Sequence, residues 1–171
     1  MENQQLWEKC VAFHGHECGG LAIGFQAALY AAELLGLTFS QDEEVVCLSE
    51  NDACGIDAIQ VILGCTAGKG NLLLRVNGKQ AWSFYSRNTG RSLRLVLKPR
   101  PQGKDRHEMF LYYRDTPAKE LFLVKDAPQP MPRRAKICGS RLCDGCGEET
   151  GTDWLTLREG RYLCPACLHQ A

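Results

Sequence analysis

No charge of one sign dominates this chain of 171 residues, in which twenty lysines and arginines balance twenty aspartates and glutamates. No global field therefore draws it to nucleic acid or anionic lipid. Long apolar runs are missing too. The most apolar stretch, Leu21 to Leu37, is interrupted by Gln26 and Glu33 and falls short of the ~20 residues that span a bilayer. Met1 to Val11 carry no basic segment followed by an apolar one, so a cytoplasmic, reducing location without membrane association is expected. There is no internal repeat or long low-complexity tract, and the length suits one well-buried domain with a small satellite rather than a large multi-cofactor enzyme. What stands out instead is cysteine. Ten in a reducing compartment act as metal ligands, reactive thiols or small buried hydrophobes rather than disulfides.

The expected elements order themselves as an α+β domain with an antiparallel sheet packed against helices. Gly20 to Leu35 is a core helix stopped by Gly36. Glu44 to Ser49 is a strand, and Asn51-Asp52 cap a helix over 53–63 that Gly64 closes. Asn71 to Val76 and Lys79 to Tyr85 flank Asn77-Gly78, which predicts a β-hairpin with a type I′ turn. Ser92 to Lys98 alternates as a further strand. Thr116-Pro117 begins a short helix running to about Val124. Trp82, Phe84 and Tyr85 are sheet packing, and Cys10 and Cys47 are core. Three of the seven prolines fall between Ala127 and Pro132, so residues 127–137 are expected to be a stiff, basic linker between a core domain over 1–126 and a small domain over 138–171.

That small domain contains Cys143, Cys146, Cys164 and Cys167, spaced C-x2-C, seventeen residues, C-x2-C. The spacing is that of a closed tetrahedral zinc site, and four thiolates leave no open position, so the zinc is structural. A knuckle, a hairpin about Glu159-Gly160 and a short helix from Pro165 follow in the order of a treble-clef or zinc-ribbon finger. From Arg133 to Ala171, six basic and five acidic residues leave a net charge of +1, small for a phosphate-binding face, so nucleic acid is not an expected partner. Cys138 is left over, either idle or able to complete a site in another subunit.

The finger does not account for His14, His16, Cys18, Cys54 and Cys65. The first three recur at every second position, so an extended backbone would project them to one side. Cys18 lies just before a helix whose free N–H groups favour a thiolate. Cys54 repeats that arrangement at the next helix, with Asp57 three residues on, and Cys65 follows the helix end. Two helix starts that meet would let His14, His16, Cys18 and Cys54 surround one zinc, iron or nickel ion, with a position left for substrate. The loop from Gly64 to Asn71 follows a helix and precedes a strand, the reverse of a nucleotide-binding loop; Lys69 in it would present a cation to a small anionic ligand.

The strings FHGHECGG and CGIDAIQVILGCTAGKGNL, with the trailing CDGC and CPAC pairs, resemble the FmdE family, named for a component of formylmethanofuran dehydrogenase. His14, His16 and Cys18 match its first motif, where Gly19 replaces a usual proline; Gln26 replaces a commonly basic residue. Cys54, Asp57, Ala58, Ile59, Cys65, Thr66, Gly68, Lys69, Gly70 and Asn71 match its second. The resemblance implies an α+β core with a metal or active site, an auxiliary treble-clef zinc finger and a homodimer. It also implies partner subunits in a molybdenum or tungsten one-carbon enzyme of methanogenesis, although nothing resembles the pterin-bearing catalytic subunit.

Three functions follow. The first is a metal-binding accessory protein with a redox or metal site in the core. The second is an interaction or regulatory module whose finger contacts protein or nucleic acid. The third is a hydrolase or transferase with Cys18 or Cys54 as nucleophile, Asp57 and Lys69 nearby and a histidine as base.

Overall fold

The computed structural model describes residues 3–169. Met1 and Glu2, part of the segment read for a leader, and Gln170 and Ala171, the end of the expected finger, lie outside them. The chain divides into two compact units, Met1–Ala135 and Lys136–Ala171.

The first unit is a five-stranded sheet with helices on one face. Helices α1 (Asn3–His14), α2 (Gly19–Leu35), α3 (Gly55–Leu63), α4 (Arg106–Asp115) and α5 (Ala118–Leu121) accompany strands β1 (Val45–Ser49), β2 (Leu72–Leu74), β3 (Ala81–Ser86), β4 (Ser92–Leu97) and β5 (Phe122–Lys125). The strand order is β2-β1-β3-β4-β5, antiparallel except for the parallel β1–β2 pair. Helix α2 is apolar on most of its surface, and nine of its seventeen residues are buried, as befits a helix enclosed by neighbours. Beneath it Trp82, Phe84, Leu93 and Leu95 rise from the inner face of the sheet. Gly36 ends α2 in the left-handed region at φ 66°, where a Cβ would clash with its own backbone.

All five residues of β1 are buried, because its other face is covered as well. Val46, Leu48 and Tyr85 form a second apolar cluster under Leu73, Ala127 and Met131. The segment expected to be a linker is thus held along the first unit as far as Ala135. Tyr85 donates its hydroxyl to the Gln129 carbonyl (3.2 Å), Arg87 donates to the Pro132 carbonyl (2.9 Å), and the Ala135 N–H reaches the Glu43 carboxylate (3.1 Å).

Several expectations need correction. Residues 71–85 do not form a hairpin, because β1 lies between β2 and β3. Beyond β2 the chain keeps tracking β1, with the Arg75 N–H donating to the Ser49 carbonyl and the Asn77 N–H to the Glu50 carbonyl. Gly78 has a positive φ of 80° while Asn77 does not, and a type I′ turn needs both. The helix expected to run to Val124 stops at Leu121, since Phe122–Lys125 pairs with β4 as the sheet edge. Helices α1 and α4 were not anticipated. The first carries only a narrow apolar stripe, Leu6, Trp7, Cys10 and Val11, yet Trp7 and Cys10 are buried. The second had a legible signal in Asp105 and Glu108, which form a reciprocal capping box.

The second unit holds two short hairpins, β6 (Ser140–Leu142) with β7 (Glu149–Gly151) and β8 (Thr156–Arg158) with β9 (Arg161–Leu163). Helix α6 (Pro165–Leu168) follows them. Glu159 at φ 50° and Gly160 at φ 78° make the turn of the second hairpin. The whole chain is therefore α+β, with a small C-terminal domain of zinc-binding type.

Candidate functional site

Two groups of donor atoms converge, one in each unit. In the second unit the ligand atoms of Cys143, Cys146, Cys164 and Cys167 all lie within 4.8 Å of one another. The knuckle works because Gly145 has no side chain, as a Cβ there would stand 2.8 Å from Cys167 Sγ. The N–H groups of Cys164 (3.2 Å) and Gly145 (3.3 Å) point at Cys143 Sγ. Backbone donors, Cys164 first, hold the Cys143 thiol down at about 6, while the neighbouring Cys164 thiol pushes Cys167 up to about 12. Sulfurs so crowded that one charge suppresses the next are what a bound cation relieves. The four-cysteine cluster can hold a metal ion such as zinc.

In the first unit the site is built on the crossing of α2 and α3. A Cβ on Gly24 would lie 2.0 Å from the Gly55 carbonyl oxygen, and one on Gly55 would lie 3.1 Å from Gly24 Cα. The two helices therefore touch backbone to backbone, which only glycine permits. This contact brings their starts together. Cys18 is the N-cap of α2, extended at φ −155°, and its sulfur accepts from the Leu21 N–H at 3.3 Å. Cys54 is the N-cap of α3, one turn later than Asn51-Asp52 had implied; Asn51 instead accepts from the Ala53 N–H. A Cβ on Gly20 would meet Cys54 Sγ at 3.5 Å and Cys18 Sγ at 3.8 Å, so the two thiols face each other across that glycine.

His14 and His16 arrive differently from expectation. The backbone from His14 to Cys18 is not a strand, since His14 ends α1 and Gly15 turns the chain at φ 93°. The turn still gathers the side chains. Ligand atoms of His14, His16 and Cys18 lie within 4.8 Å of one another, and the two imidazoles are 4.5 Å apart. His14 Nδ1 is 2.7 Å from Asp57 Oδ2 on α3, and Asp57 is held in turn by Gln60 at 3.1 Å. With Nδ1–H donating to the carboxylate, the Nε2 lone pair faces Cys18 Sγ at 3.7 Å. A carboxylate behind a ligating histidine fixes its tautomer and raises its basicity, so these donors fit a borderline transition metal. Burial first, then the adjacent Cys18 thiol, pushes the Cys54 thiol up, the opposite of what a free nucleophile requires.

Cys65 and Lys69 do not join this group. They follow the far end of α3, whose nine residues advance roughly 13 Å. Cys65 is fully buried beside the Val45 carbonyl at 3.6 Å, and burial pushes its thiol to about 12. The Lys69 ammonium donates to the Ser40 carbonyl at 2.7 Å, so it ties a loop rather than presenting a cation. Asn71, also fully buried, accepts from the Thr66 N–H and donates to the Val45 carbonyl. Much of the second motif is therefore loop architecture. Cys10 and Cys47 are fully buried in the core.

The fold and its donors define a class: an α+β domain with a His/Cys cluster at two helix starts, joined to a four-cysteine finger. The chain belongs to the FmdE family (FmdE, Molybdenum formylmethanofuran dehydrogenase operon), whose family model matches residues 13–125. An FmdE-like protein of tungsten formylmethanofuran dehydrogenase from Syntrophus aciditrophicus has a similar fold. Its TM-score is 0.72 at 24% identity, over 99% of this chain and 93% of that one. A probable S-adenosyl-L-methionine-binding protein from Archaeoglobus fulgidus is 24% identical over 169 residues, covering 80% of this chain and 46% of that protein. The chain thus spans just under half the length of that relative. Among the described residues no helix is long and apolar enough to cross a membrane.

Proposed function

We propose that the protein is a metal-binding accessory of a molybdenum or tungsten formylmethanofuran dehydrogenase, or of a related one-carbon enzyme. In this reading the core binds a transition-metal ion through His14, His16 and Cys18, with Cys54 beside them. The finger binds a structural zinc through Cys143, Cys146, Cys164 and Cys167. The observation that carries the core site is the Asp57–His14 hydrogen bond of 2.7 Å, which leaves Nε2 free toward Cys18. A histidine held only for packing has no need of a carboxylate that sets its tautomer. Family membership supports partner subunits in an enzyme complex.

When bound, the metal supplies Lewis acidity or a redox centre. The chain's own residues orient it: Asp57 holds the His14 proton on Nδ1, and the Leu21 N–H stabilises charge on Cys18. Asp57→Ala should weaken the core metal by roughly 10- to 100-fold in competition with a chromogenic chelator, leaving the finger's ion unaffected. An unchanged affinity would remove the assigned role of the Asp57–His14 pair.

A further inference from the structure

On the outer face of the sheet, away from the helices and from both cysteine clusters, lies an open cavity of about 460 Å³. That is within the roughly 300–1,000 Å³ of small-molecule sites. Strand register builds its floor. Leu48, Ser83, Arg94 and Lys125 are successive cross-strand partners from β1 to β5, so their side chains share one face. The segment after β5 forms the opposite wall, fastened by Tyr85 to the Gln129 carbonyl and by Arg75 to the Gln129 side chain. Arg75 and Lys79 reach in from the loop after β2.

The charge in this cavity is unbalanced. Arg94 is clamped by Glu50 through two hydrogen bonds, of 2.5 and 2.9 Å, and both side chains are largely buried. That pairing holds the Glu50 carboxyl below its usual range, so at neutral pH these two charges cancel. Arg75, Lys79 and Lys125 then face the single carboxylate of Asp126. The amines of Lys79 and Lys125 hold no ion pair or hydrogen bond among the described residues. Leu48 and Pro128 add apolar wall to the basic rim. We infer that this cavity is a binding site for a small oxyanion-bearing molecule, a carboxylate or a phosphate ester, whose anionic group is taken by Lys79 and Lys125 while its body lies against Leu48 and Pro128. Fixed strands supply the floor, so little ordering is lost on binding.

The test is a titration of the full isotope-labelled chain with inorganic phosphate and, separately, with succinate at low ionic strength, followed by amide NMR shifts. At least one probe should shift Leu48, Lys79 and Lys125 along a saturable curve, and the stronger of the two tells phosphate from carboxylate. Removing two charge-assisted contacts by Lys79→Gln with Lys125→Gln should weaken that binding about tenfold or more. Lys104→Gln with Lys119→Gln removes the same net charge elsewhere and should leave it unchanged. No saturable shift with either probe overturns the inference, as does an equal loss in the control variant.

Discussion

Stripping metal from the protein with a strong chelator should unfold residues 136–169 and leave the helix-and-sheet unit intact. Among the described residues of the finger only Cys143, Leu163 and Cys164 are buried, with Leu155, Cys167 and Leu168 packed on them, so two of the three are the thiols themselves. A unit of this size without metal or disulfides cannot offset the ordering of its backbone. Structural zinc in comparable fingers contributes roughly 10–16 kcal/mol of apparent binding energy at neutral pH, all of it available to folding. Cys143→Ser should behave like the chelated protein. The check is the dispersion of amide resonances: those of Arg141, Tyr162 and Leu163 should collapse toward random coil, while Trp82 and Leu95, fully buried in the first unit, keep theirs. A finger that stays ordered after quantitative removal of metal would show that its short hairpins suffice.

Gly24→Ala should be the most damaging single methyl in the first unit. The added carbon would stand 2.0 Å from the Gly55 carbonyl oxygen and 2.3 Å from its Cα. These are backbone atoms that no rotamer change can move, so α2 and α3 must separate. The cost is expected at about 3 kcal/mol by denaturant titration, the upper end of overpacking. Separation also draws Cys18 away from Cys54, so the variant should lose core metal affinity even where it remains folded. Gly68→Ala is the matched comparison. A Cβ there meets nothing within 4 Å and Gly68 has no positive φ, so stability should stay within ~0.5 kcal/mol. Equal stability of the two variants would mean that the glycine crossing does not set the geometry of the site.

The parts of the fold legible in the sequence are those specified locally. Gly36 and Gly64 stop their helices, the Glu159-Gly160 turn closes its hairpin, and the cysteine spacing marks the finger. The parts that were not legible depend on distant partners. Residues 72–77 and 81–86 look like a hairpin on either side of Asn77-Gly78, but β1, more than twenty residues upstream, intervenes and takes both. Phe122–Lys125 is helical by its local start signal and becomes a strand because β4 offers an edge. The candidate site was named from the right residues for a partly wrong reason. His14 meets Cys18 through the end of α1 and the turn at Gly15, not through strand alternation. Nothing in the spacing of Cys65 and Lys69 distinguished them from Cys54 and Asp57; the length of α3 separates them. The tie between Asp57 and His14, 43 residues apart, carries the second half of the site and is visible only in the folded chain.

Two metal-capable clusters in one chain form the centre of this account, and metal content per chain tests it most directly. Elemental mass spectrometry on protein prepared without a metal-affinity tag should find two ions per chain, falling to one in the Cys18→Ser, Cys54→Ser double variant. A single zinc in both proteins would contradict the core metal site and leave the finger as the sole metal centre.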